Sequence, residues 1–204
     1  MPEGYITRQE CKARRDLKES DTILDGFIDD LILAASRKVD QHCNVVPGAF
    51  LTQTQTRLYT ATDSYCLKVD NLLSITAATG LLTDDGWNRS YSATWNSSQY
   101  DLWPYNASMD GIPYREIRVR STSTNTFPVD KTEPRVRITG AFGYAAEAPA
   151  QIKEACYRLI DRFLALRGNA FGVVGSGELG TFRVSPMDPE VAELLAPFRE
   201  RGMA

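Results

Sequence analysis

The glycine-rich run from Gly175 to Gly180 is the stretch whose spacing comes nearest to a motif with known chemistry. Its letters, GSGELG, match GxGxxG, a pattern whose glycines let a backbone approach a pyrophosphate at the start of a helix. A dinucleotide site needs a strand before the motif and a helix directly after it, whereas here a helical pattern precedes the run and Thr181 to Val184 looks extended. We therefore interpret the run as a linker and expect no cofactor.

Other side chains that could act in catalysis are His42 and two pairs of adjacent aspartates. His42 is the single histidine, so a serine or cysteine nucleophile would need it as the base, but its place in the last turn of a predicted helix favours capping or a surface position. The pairs Asp29-Asp30 and Asp84-Asp85 suggest paired carboxylates. Neighbours on a helix point in different directions and the second pair lies in a predicted turn, so we expect solvated charge at both.

The four cysteines show no metal-binding or disulfide framework. Cys11, Cys43, Cys66 and Cys156 form no CxxC pair and have no histidine at ligand spacing. We expect them to be reduced and mostly buried. The sequence predicts no catalytic, cofactor-binding or metal-ligating residue, and hence a protein that is not an enzyme.

Composition limits the class of partner. The 204 residues carry 23 basic and 26 acidic side chains, a net charge of -3, so no overall basic field attracts nucleic acid. The beginning of the chain has no basic segment followed by an apolar one, and no run approaches the roughly 20 apolar residues of a membrane span. We expect a globular protein that stays in the cytoplasm unless a particle carries it out.

Helical patterns occur at both ends of the chain. Thr7 and Glu10 form a capping box that predicts a helix from Arg8 to about Leu17, and a second helix is predicted from Asp21 to about Asn44. Asp25, Asp29, Ser36 and Asp40 are placed on its polar side. Pro149 begins a third helix that stops at Gly168. The core is predicted to form where the two long helices pack on each other, through Ile23, Phe27, Leu31, Ala35, Ile152, Cys156, Leu159 and Phe163.

Between Leu51 and Tyr144 the apolar period changes from helical to two, which predicts strands. The expected strands are Thr54 to Thr60, Tyr65 to Val69, Ser74 to Leu81, Ala93 to Trp95, Ile117 to Arg120, and Arg135 to Thr139, the last followed by an aromatic glycine turn at 140–144. This region also holds a group of aromatic residues, either a core or a surface that binds protein or sugar: Trp87, Tyr91, Trp95, Tyr100, Trp103 and Tyr105.

These patterns together predict an α+β fold, a small helical core of two long packed helices and short terminal helices with an inserted antiparallel β module. The predicted divisions are 1–48 for the first helices, 49–144 for the β module, 145–168 for the second core helix, and 169–204 for a flexible glycine-rich arm with a terminal helix. Contacts with a partner protein or a neighbouring subunit are expected from the arm and that helix, at Phe171, Val173, Val174, Leu179, Phe182, Leu194 and Phe198.

Four stretches, in their order along the chain, resemble the head-tail connector or adaptor proteins of long-tailed bacteriophages. They are Ala-Ala-Ser-Arg-x-x-Asp at 34–40, Tyr-Asp-Leu-x-Pro-Tyr-Asn at 100–106, Gly-x-Phe-Gly-Tyr at 140–144 and Pro-x-x-Ile-Lys-x-Ala at 149–155. The resemblance covers about residues 5 to 168.

The resemblance implies a structural virion protein that forms a ring of about twelve copies beneath the portal, with one patch of each subunit meeting a different patch on the next. The implied partners are the portal, the stopper or tail-completion protein, other copies of itself, and genomic DNA that passes without sequence-specific binding. No membrane partner is implied. The place would be the neck of the virion, after synthesis in the host cytoplasm. Two alternatives remain: a stopper or other neck protein, and a β-sandwich module on a helical stem that binds carbohydrate.

Overall fold

The computed structural model describes residues 4–20, 22–77, 79–86, 88–166, 173–176, 180–183 and 188–199. The fold is α+β, and the chain divides into two compact units. The helical unit consists of residues 1–50 and 148–204, and the β unit consists of residues 51–147, which are inserted between its two parts.

The first two helices differ in how their N-terminal ends are capped. Helix α1, Arg8–Ala13, has the predicted capping box, in which Thr7 and Glu10 each accept the other's backbone N–H. Helix α2, Asp25–Cys43, begins later than predicted. Leu24 is its N-cap residue, and no side-chain hydrogen bond caps this end of the helix. Asn44 ends α2 in the left-handed conformation, with its N–H donated to carbonyls of the last turn.

The buried face of α2 differs from the predicted stripe. Ile23 is 90% exposed, so its predicted place in the core is wrong. Phe27 and Leu31 are half-buried, while Ala35 is fully buried as expected. The buried face of α2 consists of residues one position further along the helix, namely Ile28, Ile32, Ala35, Ser36, Val39, Asp40 and Cys43.

Helix α4, Ala150–Leu166, packs against α2 and against α5, Pro189–Leu195. Ile152, Cys156 and Leu159 of α4 are buried, and Phe163 is half-buried. Asp188 caps α5 through the Glu190 N–H, and a short 3-10 turn, Ala196–Phe198, follows α5. Since Val191 and Leu195 of α5 are also buried, this last helix belongs to the helical core.

The glycine-rich segment before α5 contains paired strands where we predicted a flexible arm. Strands β8, Val173–Ser176, and β9, Gly180–Arg183, pair antiparallel. The second of these confirms the extended stretch predicted after the glycine run. Gly180 thus begins a strand, where a dinucleotide fold would require a helix.

The β unit is built on one seven-stranded antiparallel sheet. Its strands are β1 Gln53–Tyr59, β2 Cys66–Ile75, β3 Leu81–Thr83, β4 Ala93–Thr94, β5 Tyr100–Trp103, β6 Tyr114–Val119 and β7 Val136–Phe142. The order is β4-β3-β7-β2-β6-β5, and β1 pairs with the other edge of β7. A four-residue helix α3, Ala107–Asp110, joins β5 to β6.

Three sequence predictions for this sheet differ from the structure. Strand β2 continues through a bulge, where we predicted two strands separated at 70–73, and β5 was missed. The turn predicted at 140–144 begins later than expected, because β7 runs on through Phe142 and the chain bends only at Gly143 and Tyr144. A Cβ on Gly140 would lie 2.3 Å from the Ser74 carbonyl oxygen, so glycine permits the close approach of β2 and β7.

Aromatic and aliphatic side chains fill the core of the β unit. Trp95 is 3% exposed, and its ring stacks on Phe127 with centroids 4.7 Å apart. The Trp95 indole N–H donates to the Thr83 hydroxyl at 3.2 Å, which satisfies the one polar group of the ring. The wider cluster contains Ala61, Leu67, Leu72, Leu81, Ile117, Val136, Ile138 and Phe142.

Candidate functional site

Two groups of residues stand out as candidates, and the first is a buried polar cluster in the helical unit. Ser36 and Asp40 lie one turn apart on the buried face of α2. Ser36 accepts the Tyr5 backbone N–H at 3.0 Å, and Asp40 accepts both the Tyr5 hydroxyl and the Gly48 N–H. The cluster therefore fastens the beginning of the chain and the loop after α2 to the same helix face.

Burial dominates the electrostatics of this cluster. It raises the pKa of the Asp40 carboxyl, against the opposing effects of the Tyr5 and Gly48 hydrogen bonds and the Arg37 guanidinium 3.1 Å away. The Tyr5 hydroxyl has a raised pKa because of burial and its bond to Asp40. Cys156, against Ser36, has its pKa raised to about 12 by burial. A thiol with so high a pKa is protonated at neutral pH, so this cluster is a structural tie.

Of the side chains considered for catalysis, His42 lies in the helical unit and Asp84 lies in the β unit. His42 lies half-buried near the end of α2, and burial together with the positive charge of Arg199 lowers its pKa. Asp84, expected to be solvated, is 2% exposed and accepts the backbone N–H groups of Asn88 and Arg89. Asp84 therefore organises its own turn, which the sequence alone had left as exposed charge.

The second candidate is an aromatic-arginine patch on the outer face of β5 and β6, defined as Asp101, Trp103, Tyr105, Arg118 and Arg120. Antiparallel pairing sets Asp101 opposite Arg118 and Trp103 opposite Glu116, and places these side chains on one face. The alternate residues of the same strands, Tyr100, Leu102, Ile117 and Val119, face the core.

Contacts inside the patch hold the two rings in place. The Arg118 guanidinium lies 3.9 Å from the Trp103 ring centroid, and Glu116 accepts from the same guanidinium at 2.7 Å. Tyr105 packs edge-on against Trp103 with centroids 4.8 Å apart, and its hydroxyl donates to Asp101 at 3.2 Å. Asp101 also pairs with Arg120 at 2.5 Å, which lowers the pKa of that carboxyl.

The patch has the composition of a protein-binding surface. Tryptophan, tyrosine and arginine are the residues that contribute most to protein interfaces, and here contacts within the chain hold their side chains. Tyr105 is 60% exposed, and Met109 on the adjoining helix α3 is 87% exposed. Because Arg118 covers one face of Trp103, the patch suits a protein partner better than a stacked sugar ring.

The signal for this patch was present in the sequence. Tyr100, Asp101, Leu102 and Trp103 alternate between core and surface types, which is the period of a strand. The aromatic group named from the sequence divides accordingly: Tyr91 and Trp95 are buried, Trp103 and Tyr105 form the surface, and Trp87 lies outside the described residues.

The residues predicted to contact partners fall in different places. Phe171 and Leu179 lie outside the described residues, while Val173, Val174 and Phe182 lie in the paired strands β8 and β9. Leu194 is half-buried in α5. The Phe198 ring packs edge-on against Phe50 of its own helical unit, with centroids 5.7 Å apart.

A pocket of about 400 Å³ also opens beside β3 and β4, with Trp95 and Arg135 among its lining residues. Arg135 is buried and donates to the Asp84 carbonyl oxygen. The pocket therefore borders the turn that Asp84 organises, and the Arg135 guanidinium supports that turn through its hydrogen bond.

No protein-family model matches the chain, and no curated protein matches it. Within the described part of the chain, no cluster of histidine, cysteine and carboxylate side chains has the form of a metal site, and no helix is both long enough and apolar enough to cross a membrane.

Proposed function

We propose that this chain is a structural virion protein, a head-to-tail adaptor whose ring docks beneath the portal of a long-tailed phage and extends the DNA channel to the stopper and tail. Its partners are then the portal, the stopper or tail-completion protein, and further copies of itself in the neck of the virion. Genomic DNA passes the ring without sequence-specific contacts, which suits a net charge of -3.

The observation that carries the proposal is the aromatic-arginine patch, a set of interface-type residues on the compact β unit. Docking needs side chains that are already ordered, because ordering them on binding reduces affinity. Trp103, Arg118 and Tyr105 are ordered by contacts within the chain itself. One of the stretches that resemble connector proteins, residues 100–106, supplies Trp103 and Tyr105.

The helical unit supports the same proposal through a second stretch of the resemblance. In the Ala-Ala-Ser-Arg-x-x-Asp stretch, Ala35, Ser36 and Asp40 are buried, and Arg37 pairs with Asp40. These residues hold α2 to the beginning of the chain, and α2 packs on α4, which the Pro-x-x-Ile-Lys-x-Ala stretch begins. A stable helical unit with a separate docking unit fits a subunit that must contact neighbours on more than one side.

The carbohydrate-binding alternative is less favoured by the geometry. Trp95, one of the aromatic residues that could have stacked on a sugar, is buried against Phe127. A stopper role, in contrast, would use the same kind of docking surface, and imaging of the neck separates it from an adaptor.

The proposal is tested by mixing the full chain with portal rings of its own particle and recording native mass spectra and electron micrographs. We expect one additional ring on the portal. Binding by the Trp103→Ala variant should weaken at least tenfold, whereas Tyr65→Ala, which removes an exposed aromatic outside the patch, should bind as the unaltered chain does. Absence of the chain from the neck of imaged particles would overturn the proposal.

Deletion of residues 169–204 is a poor test of docking. It would remove α5, whose Val191 and Leu195 are buried in the helical unit. Lost docking by such a truncation would therefore report lost folding as readily as a lost contact.

A further inference from the structure

The outer edge of strand β1 is long and open, unlike the other edges of its sheet. Strand β1 has seven residues, and it pairs only with β7 among the described strands. The edge strand β5 has four residues and is followed by Pro104, and the edge strand β4 has two. Short strands and prolines are devices that protect sheet edges, and β1 has neither.

The register shows which backbone groups of β1 face outward. On β7, Thr139 donates its N–H to the Gly80 carbonyl and accepts from the Thr76 N–H, so its backbone points away from β1. Backbone direction alternates along an antiparallel strand, and therefore Ile138 and Gly140 point toward β1 and bond Arg57 and Gln55. It follows that the N–H and C=O groups of Thr54, Thr56 and Leu58 point outward.

The side chains along this edge would not repel a second strand. Those of Thr54, Thr56 and Leu58 are exposed and uncharged. Arg57, the one charged residue of β1, bonds Gln55 at 2.9 Å and Asp70 at 2.7 Å, and its guanidinium lies over the Phe142 ring. Its charge is thus balanced within its own chain.

We propose that the β1 edges of two copies of this chain pair antiparallel about Thr56 and form a two-fold dimer of the free protein. In this register Thr56 faces its own copy, Thr54 faces Leu58, and Gln55 faces Arg57. The three outward residues of each strand exchange roughly six backbone hydrogen bonds, two for each facing pair. A register centred on Arg57 would bring two guanidinium groups together, and one centred on Gln55 would leave fewer residues paired.

This pairing goes beyond the adaptor function and does not depend on it. A two-fold contact uses the same patch on both subunits and therefore closes at two copies, so it cannot build a ring. A single strand pair also buries less surface than a standard protein interface. The dimer is therefore expected to be weak and concentration-dependent, which leaves the edge available to a later partner.

Sedimentation equilibrium of the full chain over a concentration series tests the dimer. The Thr56→Pro variant removes an outward N–H and leaves the bonds to β7 in place, whereas Thr56→Ala keeps that N–H. We expect the proline variant to be monomeric where the unaltered chain and the alanine variant dimerise. A monomer throughout at concentrations up to about 100 µM, or a dimer that persists in the proline variant with its far-ultraviolet spectrum unchanged, would overturn the proposal.

Disulfide trapping tests the same register and does not depend on the folding of the proline variant. Residues at position 56 of two paired copies would have Cα atoms about 5.5 Å apart, within disulfide range, whereas those at position 54 would be separated by about 14 Å along the strands. We expect mild oxidation to crosslink Thr56→Cys and to leave Thr54→Cys monomeric. Equal crosslinking of both variants, or of neither, contradicts this register.

Discussion

The Tyr5 hydroxyl donates a hydrogen bond to the buried carboxylate of Asp40, which lies 35 positions later in the chain. Asp40 also accepts the Gly48 N–H at 3.1 Å. One side chain therefore holds two separate segments against α2, and its removal affects both.

Replacement of Asp40 by alanine should lower the free energy of unfolding by about 2–4 kcal/mol, because two buried donors lose their acceptor. Asp40→Asn keeps one acceptor oxygen and removes the buried charge, so its loss should be about half as large. Urea unfolding followed by circular dichroism measures both. Equal losses in the two variants would show that the acceptor is not what matters.

Trp95 and Trp103 of the β unit should differ sharply in their effect on stability. Trp95→Ala leaves a cavity beside Phe127 and should lower the free energy of unfolding by about 3–5 kcal/mol. Trp103→Ala removes a surface ring and its contact with Arg118, worth about 0.5–1 kcal/mol. Thermal unfolding of both variants gives the comparison, and a similar loss in each would contradict the burial described above.

Substitution of Gly140 by alanine should destabilise the β unit, since the new Cβ would lie 2.3 Å from the Ser74 carbonyl oxygen and force β2 and β7 apart. Gly26 is a matched control on a helix, where an added Cβ meets nothing within 4 Å. Gly26→Ala should stabilise by up to about 1 kcal/mol through helix propensity. Denaturant unfolding measures both changes, and we expect a lower midpoint for Gly140→Ala and a higher one for Gly26→Ala, with unchanged slopes. A midpoint that shifts in the same direction in both variants would refute the close approach of β2 and β7.

The helical unit should lose stability in acid. The backbone bond from Thr7 and the ammonium of Lys153 lower the pKa of Glu10, and the guanidinium groups of Arg14 and Arg158 lower that of Glu154. A carboxyl whose pKa is lower in the folded state stabilises the fold above its usual pKa near 4.3, and this contribution is lost as the pH falls below that value. Asp40 acts in the opposite sense, because its raised pKa favours the protonated folded form.

Urea unfolding between about pH 3 and pH 7 measures this dependence. In Glu154→Gln the free energy of unfolding should fall less steeply as the pH is lowered, since the glutamine has no proton to take up at that position. An unchanged slope in Glu154→Gln would assign the acid sensitivity to other groups.

Thiol labelling should distinguish Cys66 from the other three cysteines. Burial raises the pKa of Cys43 to about 11 and that of Cys156 to about 12, and Cys11 is buried as well. Cys66 is only half-buried, beside Glu116, although its pKa is also raised. A chromogenic thiol reagent should modify Cys66 first and the others only on unfolding. Cys66→Ser should show no early reaction, and rapid labelling of a second thiol would contradict this order.

The sequence by itself determined the α+β class, the main helices and most of the strands. The Thr7 and Glu10 capping box, the helix after Pro149 and the alternation in β1 and β7 are local patterns, and these were readable because capping and periodicity involve residues close in the chain. The α+β class with an inserted β module followed from them.

Tertiary structure decided which face of each element is buried and which strands pair. Ile23 and Ile28 are both apolar, and only the positions of α1, α4 and α5 around α2 bury the second and expose the first. Ser36 and Asp40 looked like surface residues because their partners, Tyr5 and Gly48, come from other segments. Strand β5 was recognisable by alternation, but its pairing with β6 placed Trp103 against Arg118. Contacts between distant residues have no local signature, so the pairing that assembles the aromatic-arginine patch and the open edge of β1 became visible only in the folded chain.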